Sequence, residues 1–336
     1  MKQKPFLICF VIICAALGSP AETCRYSSIE IDTGGSKMPL PVQSYRGVLK
    51  SVDELLCLYE KPQGLKLSLQ TKGTDARYSF SGNEIASVAL YEKYQSGKTA
   101  HPIYGQFILA HEYTHSIFTL NMMKASAAWG HWPNAELKAN KLQNILNDLQ
   151  DKAAQTTDPG QQALLKKQYA AVEKALRQVL YSLESINYVA AKAINEFYAD
   201  LIPVVLTANP RAIYQALKVD HKDNFSDSSL VRDFSQTYGQ QILSRWSLQV
   251  GKMMKNNELT GLRYTGLAPL RSFVWELIKG PVQNPANKSK IAIAIFQVLA
   301  QDYQSRFAQP MAAESLDVTN WNLQLAEKIH KKLLEK

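Results

Sequence analysis

Ile108-Leu109-Ala110-His111-Glu112-Tyr113-Thr114-His115-Ser116-Ile117-Phe118 sets two histidines four positions apart, with a glutamate beside the first. On a helix, positions i and i+4 lie on one face about one turn apart. Both imidazoles can therefore reach a single metal ion, with Glu112 beside them as a candidate general base. The alternative is a helix with two surface histidines and no metal. Phe107, Ile108, Leu109, Ala110, Ile117, Phe118 and Leu120 speak against it, because they predict a buried helix in which unpaired imidazoles would be costly. A chance H-E-x-x-H is expected in roughly 0.5% of chains of this length and composition, so the motif needs support from elsewhere in the chain.

Upstream of this helix the pattern is extended. Residues 22–47, with Gly34-Gly35, Pro39 and Pro41, read as a loop-rich entry. A short helix is expected over 48–59, with Ser51 as N-cap and Glu54 completing a capping box. Leu65, Leu67 and Leu69 alternate with polar residues, which predicts a half-buried strand. Two more strands are expected at 77–80 and 86–91, giving a small sheet ahead of the histidine helix.

The N-terminus has a basic start, an apolar run of 12 residues from Phe6 to Leu17, and a small-x-small exit at Ser19 and Ala21. This is the pattern of a secretory signal peptide over 1–21, with export to a periplasmic or extracellular space. The run is too short for a transmembrane anchor. Lipidation at Cys14 is an alternative, although Ile13 before it is large for that signal. With Cys9 and Cys14 removed, Cys24 and Cys57 remain, and in an oxidising compartment they are expected to form one disulfide. Of 38 Lys+Arg the leader holds Lys2 and Lys4, so 36 stand against 29 Asp+Glu in the remainder, a formal +7. These charges are scattered, and nothing in the chain has the pattern of a nucleic-acid module. Nothing in the sequence fixes the oligomeric state.

Downstream the chain is almost wholly helical in pattern. Ala135, Ala139, Leu142, Leu146, Leu149 and Ala153 form one seam, and Leu165, Tyr169, Val172, Leu176, Val179, Leu183 and Ile186 a second. Both have heptad spacing, with the turn signal Thr156-Thr157-Asp158-Pro159-Gly160 between them. The expectation is an antiparallel, coiled-coil-like hairpin over 133–186. Further helices are expected at 187–207, 211–218, 228–254, 268–279, 289–305 and 319–334. The fold class is thus α+β and mainly helical: leader 1–21, sheet and histidine helix 22–125, inserted hairpin 126–186, and helical subdomain 187–336.

A hydrolytic zinc site needs a third protein ligand. Phe118 and Asn121 stand where a second glycine-histidine pair would have to follow, so a downstream carboxylate is expected. Glu136 and Glu196 compete. Glu196 lies in Asn195-Glu196-Phe197-Tyr198-Ala199-Asp200, which puts Glu196 and Asp200 on one helical face. Asp200 could then accept the second ring N–H of a ligand histidine, His111 being the expected one. Glu136 has Asn140 at the equivalent position, which makes Glu196 the preferred ligand.

His111-Glu112-x-x-His115 followed by Asn195-Glu196-x-x-x-Asp200 resembles the gluzincin metallopeptidases, the thermolysin-like group. The resemblance covers about 110 residues and places the long hairpin between the motifs as an insertion. It implies one zinc ion held by His111, His115 and Glu196, with Asn195 and Asp200 behind them, and peptide-bond hydrolysis with Glu112 as general base. It also implies a sheet edge for the substrate backbone, here strand 86–91, and a His or Tyr on the oxyanion, for which His221, Tyr238 and Tyr264 are candidates. The rival readings are a non-catalytic zinc-site protein that docks a partner through the hairpin, and a zinc-dependent amidase acting on a non-protein substrate.

Overall fold

The computed structural model describes residues 24–33, 42–70, 77–80, 83–89, 103–220, 231–256 and 258–335. The expected leader with Cys14, the segment 34–41, the end of the expected strand at 90–91, His101 and His221 lie outside them.

Two helices form the centre. Helix α2 (Ile103–Ala125) follows α1 (Val42–Leu55), and α5 (Ile186–Thr207) packs along α2. Leu109, Tyr113, Ile117, Phe118 and Met122 are all buried although they point to different sides of α2. A helix that is apolar around its whole circumference has to be enclosed, and α5 shares that character, with Ile194, Phe197, Tyr198, Leu201 and Ile202 buried. Phe118 of α2 stacks on Tyr198 of α5, ring centroids 4.7 Å apart, which fixes how the two helices sit against each other.

The sheet comprises β1 (Ile29–Asp32), β2 (Leu65–Gln70), β3 (Arg77–Ser79) and β4 (Glu84–Ala89), in the order β1-β2-β4-β3. β1, β2 and β4 run parallel, and β3 is antiparallel to β4. The strand expected over 86–91 as the substrate edge is therefore an inner strand; β3 holds that edge. The alternation marks a strand but not its neighbours, and the turn around Asn83 folds β3 onto the outer side of β4.

Several helix boundaries differ from expectation, among them the start of the hairpin, at Ala127 where 133 was expected. α1 begins at Val42, a turn and a half before the expected start, because Tyr45 and Leu49 extend the buried face of Val52 and Leu55. Ser51 is therefore not an N-cap: it lies inside the helix, its hydroxyl donating to the Gly47 carbonyl. The helix expected over 228–254 starts only at Gln240 (α7, Gln240–Lys255), and residues 231–239 are not helical. Buried Asp233 explains this, since its carboxylate accepts the Ser235 N–H at 2.8 Å and competes with helical pairing. The helix expected over 289–305 instead begins at Pro285, with Asn284 as its N-cap.

α3 (Ala127–Gln155) and α4 (Pro159–Leu183) form the antiparallel pair, capped by Ser126 and Asp158. Ala139, Leu146 and Leu176 make a small apolar cluster of their own between them. The core is otherwise continuous from the sheet through α2 and α5 to the C-terminal helices. Those are α6 (Ala212–Asp220), α7, α8 (Leu262–Thr265), α9 (Ala268–Ile278), α10 (Pro285–Arg306) and α11 (Val318–Leu334). The segments before 125 and after 186 thus share one interior, and the hairpin leaves it.

Cys24 and Cys57 are disulfide-bonded with Cα atoms 4.9 Å apart, tying β1's approach to the turn after α1. Closing a loop of that separation contributes roughly 4 kcal/mol in the chain-entropy account. Among the described residues no helix is long and apolar enough to cross a membrane.

Candidate metal centre

His111 and His115 project from α2 toward Glu196 on α5, and the three buried side chains form a group that could hold a metal ion. His111 Nε2 lies 3.0 Å from His115 Nε2, and Glu196 Oε2 lies 3.6 and 3.8 Å from those two nitrogens. These separations define one point about 2.0 Å from all three atoms, which is bonding distance for zinc with imidazole and carboxylate ligands.

The hydrogen bonds behind the rings fix their tautomers. His111 Nδ1 is 3.1 Å from Asp200 Oδ1; a carboxylate only accepts, so Nδ1 carries the proton. His115 Nδ1 donates to Asn195 Oδ1 at 2.9 Å, and the Asn195 amide in turn donates to Thr119. With both imidazoles neutral, as metal ligands are, both Nε2 atoms therefore present lone pairs. Two lone pairs facing each other at 3.0 Å cannot form a hydrogen bond, whereas a shared cation satisfies both. The donor set fits a metal ion on this ground. Burial, with His111 nearby, pushes His115 down to about 3, so its imidazole is neutral, as a ligand must be.

The carboxylates divide sharply in charge. Burial would raise Glu196, but His115, Arg263, Arg232 and His111 hold it at about 2. Burial would also raise Asp200, yet Arg232, Arg271 and His111 hold it well below the usual carboxylate range. Glu112 differs: burial pushes it up to about 7, with His111 opposing, Glu196 assisting, and the Tyr78 N–H and Arg232 opposing. Its Oε1 faces His111 Nε2 at 3.9 Å, and Glu112 is not part of the ligand group. Its Oε2 accepts the Tyr78 backbone N–H at 2.7 Å. That N–H points away from β4, so the side of β3 opposite β4 borders the site at Tyr78.

Three arginines complete the centre, and no local spacing announces them. Arg271, fully buried on α9, donates from Nε and Nη2 to Asp200 Oδ2 at 3.0 and 2.7 Å. Arg232 donates from Nε to both Asp200 oxygens and from Nη2 to Oδ1, and its Nη2 also lies 3.1 and 3.3 Å from His111 Nε2 and Nδ1. A nitrogen nearly equidistant from both must lie over the ring face, since an in-plane position would collide with the Cε1–H. Arg263 on α8 donates from Nε and Nη2 to Glu196 Oε1 at 2.8 and 2.6 Å. The one available signal was Arg271 inside the apolar run Ala268–Ile278, since an arginine so placed requires a buried acid.

The remaining candidates separate. Glu136 pairs with Lys192 and the Tyr188 hydroxyl, both at 2.5 Å, and is not in the ligand group. Tyr264 lies under the guanidinium groups of Arg232 and Arg263, 5.3 and 4.9 Å from its ring centre, and so borders the centre. Tyr238 packs against the core in the field of Arg271 and Asp233. Compared with protein-family models, with curated proteins and with solved structures, the chain matches none.

Proposed function

We propose that the chain is an exported zinc-dependent metallopeptidase of the gluzincin type. The observation that carries this reading is the division of labour among the buried acids. Glu196 converges with both Nε2 atoms, whereas Glu112 stands just outside that set, its Oε1 3.9 Å from His111 Nε2 and its Oε2 held by the Tyr78 N–H. A structural metal site has no use for such a base; a hydrolytic one requires it.

In this reading His111, His115 and Glu196 hold one zinc ion, which when bound acidifies water and polarises a carbonyl. Glu112 Oε1 takes a proton from the attacking water and returns it to the leaving amine nitrogen. The Tyr78 N–H steadies Glu112 through Oε2, leaving Oε1 to move the proton. A strand bordering Glu112 is the reason for preferring an extended peptide as substrate over other amides. Arg232 Nη2, 3.1 Å from His111 Nε2 and 3.5 Å from Glu196 Oε2, puts positive charge beside the metal-ligand group, which makes it a candidate to stabilise an oxyanion there. The disulfide supports export.

Glu112→Gln tests the assignment. The variant is expected to keep its zinc, measured by elemental analysis, and to lose hydrolysis of a broad peptide library by at least about 100-fold. Cleavage at the wild-type rate would remove Glu112 from the reaction.

A further inference from the structure

A carboxylate binds a metal through one oxygen or through both, and the choice decides which ion a site of two imidazoles and one acid will take. Glu196 approaches both Nε2 atoms with Oε2, at 3.6 and 3.8 Å. Its other oxygen, Oε1, accepts two N–H groups from the fork of Arg263, at 2.8 and 2.6 Å. An oxygen already engaged by two charge-assisted hydrogen bonds is a poor second metal ligand.

The Arg263 side chain is 43% exposed, and the segment that carries it is held from the protein side. Leu262 buries α8 against α5, the Trp246 indole N–H donates to the Thr265 carbonyl, and the Tyr264 ring supports the guanidinium. Gly266 closes the turn with its N–H 2.8 Å from the Leu262 carbonyl.

We propose that Arg263 is a positioning residue that restricts Glu196 to one-oxygen coordination. The centre is thereby set for an ion that accepts two nitrogens and one oxygen in a four-coordinate arrangement. Ions that require a larger, oxygen-rich shell, such as Mn2+ or Ca2+, are disfavoured. The inference rests on the metal site described above, not on the identity of the bond that is cleaved.

Cobalt(II) absorption tests it, together with Zn2+ and Mn2+ competition against a chelating dye, on the full-length wild type, Arg263→Met and Arg263→Lys. The wild type is expected to give the intense visible bands of tetrahedral Co2+ and to prefer Zn2+ over Mn2+. Arg263→Met is expected to give the weaker bands of a higher-coordinate ion and to lose Zn2+ affinity 10- to 100-fold, with its Zn2+ preference narrowed. Arg263→Lys, which keeps the charge but not the fork, should recover only part of that loss. An unchanged spectrum and affinity in Arg263→Met would overturn the inference. So would a wild type whose Co2+ spectrum is already five- or six-coordinate, a result that needs no variant to fold. A wild type that binds neither Co2+ nor Zn2+ would overturn the metal site itself, and is distinguishable from both.

Discussion

Glu112 is pulled in opposite directions by its surroundings, and the outcome has a consequence for stability. Its folded-state value of about 7 lies above the ordinary 4.5, chiefly through burial. Its contribution to stability is therefore fully present below pH 4.5 and is lost as pH rises to 7. In metal-free protein, the stability of the wild type relative to Glu112→Gln should fall by up to about 3 kcal/mol between pH 4.5 and 7.5. His115 shifts in the opposite sense, its contribution being lost as pH falls from 6.5 toward 3, but it is common to both proteins and cancels in the difference. Denaturant unfolding at a series of pH values measures this, and a flat difference would mean that Glu112 titrates in the folded protein as it does in the unfolded chain.

Among the elements, those with their own periodicity were legible in the sequence. The paired seams around Leu146 and Leu176, the buried faces of α2 and α5, and the alternation of Leu65 and Leu67 each carry a local pattern. His111, His115, Glu196 and Asp200 were legible for the same reason, since helical spacing fixes their faces. What was illegible depends on contacts distant in sequence. Arg232 and Arg263 lie 32 and 67 residues from the acids they bind, and neither sits in a repeating pattern. The position of β3 at the sheet edge follows from strand order, which alternation does not encode. The non-helical start before α7 follows from the buried turn at Asp233. α8 is only one turn long, too short to show periodicity, yet it carries Arg263 and Tyr264. Its end depends on Gly266, where an added Cβ would lie 2.7 Å from the Leu262 carbonyl oxygen. Gly266→Ala is expected to destabilise the fold by about 1–3 kcal/mol. By displacing Arg263 it should also weaken zinc binding, read by thermal melts and dye competition. Unchanged values for both would show that α8 tolerates the methyl group.

At the scale of the whole molecule, a single interior joins the sheet, α2, α5 and the C-terminal helices, and the centre lies where these parts meet. α2 contributes the imidazoles and Glu112, α5 the ionised acids, β3 the N–H on Glu112, and α8 and α9 the arginines behind the acids. The α3–α4 hairpin separates His115 from Glu196 by 81 positions in sequence without separating them in space. The central claim is that these three side chains bind one metal ion. Elemental analysis of the purified full chain with Glu196→Ala and Glu136→Ala tests it most directly. One zinc per chain is expected in the wild type and in Glu136→Ala, with zinc lost from Glu196→Ala. Zinc retained at full occupancy in Glu196→Ala, or absent from the wild type after zinc loading, would contradict it.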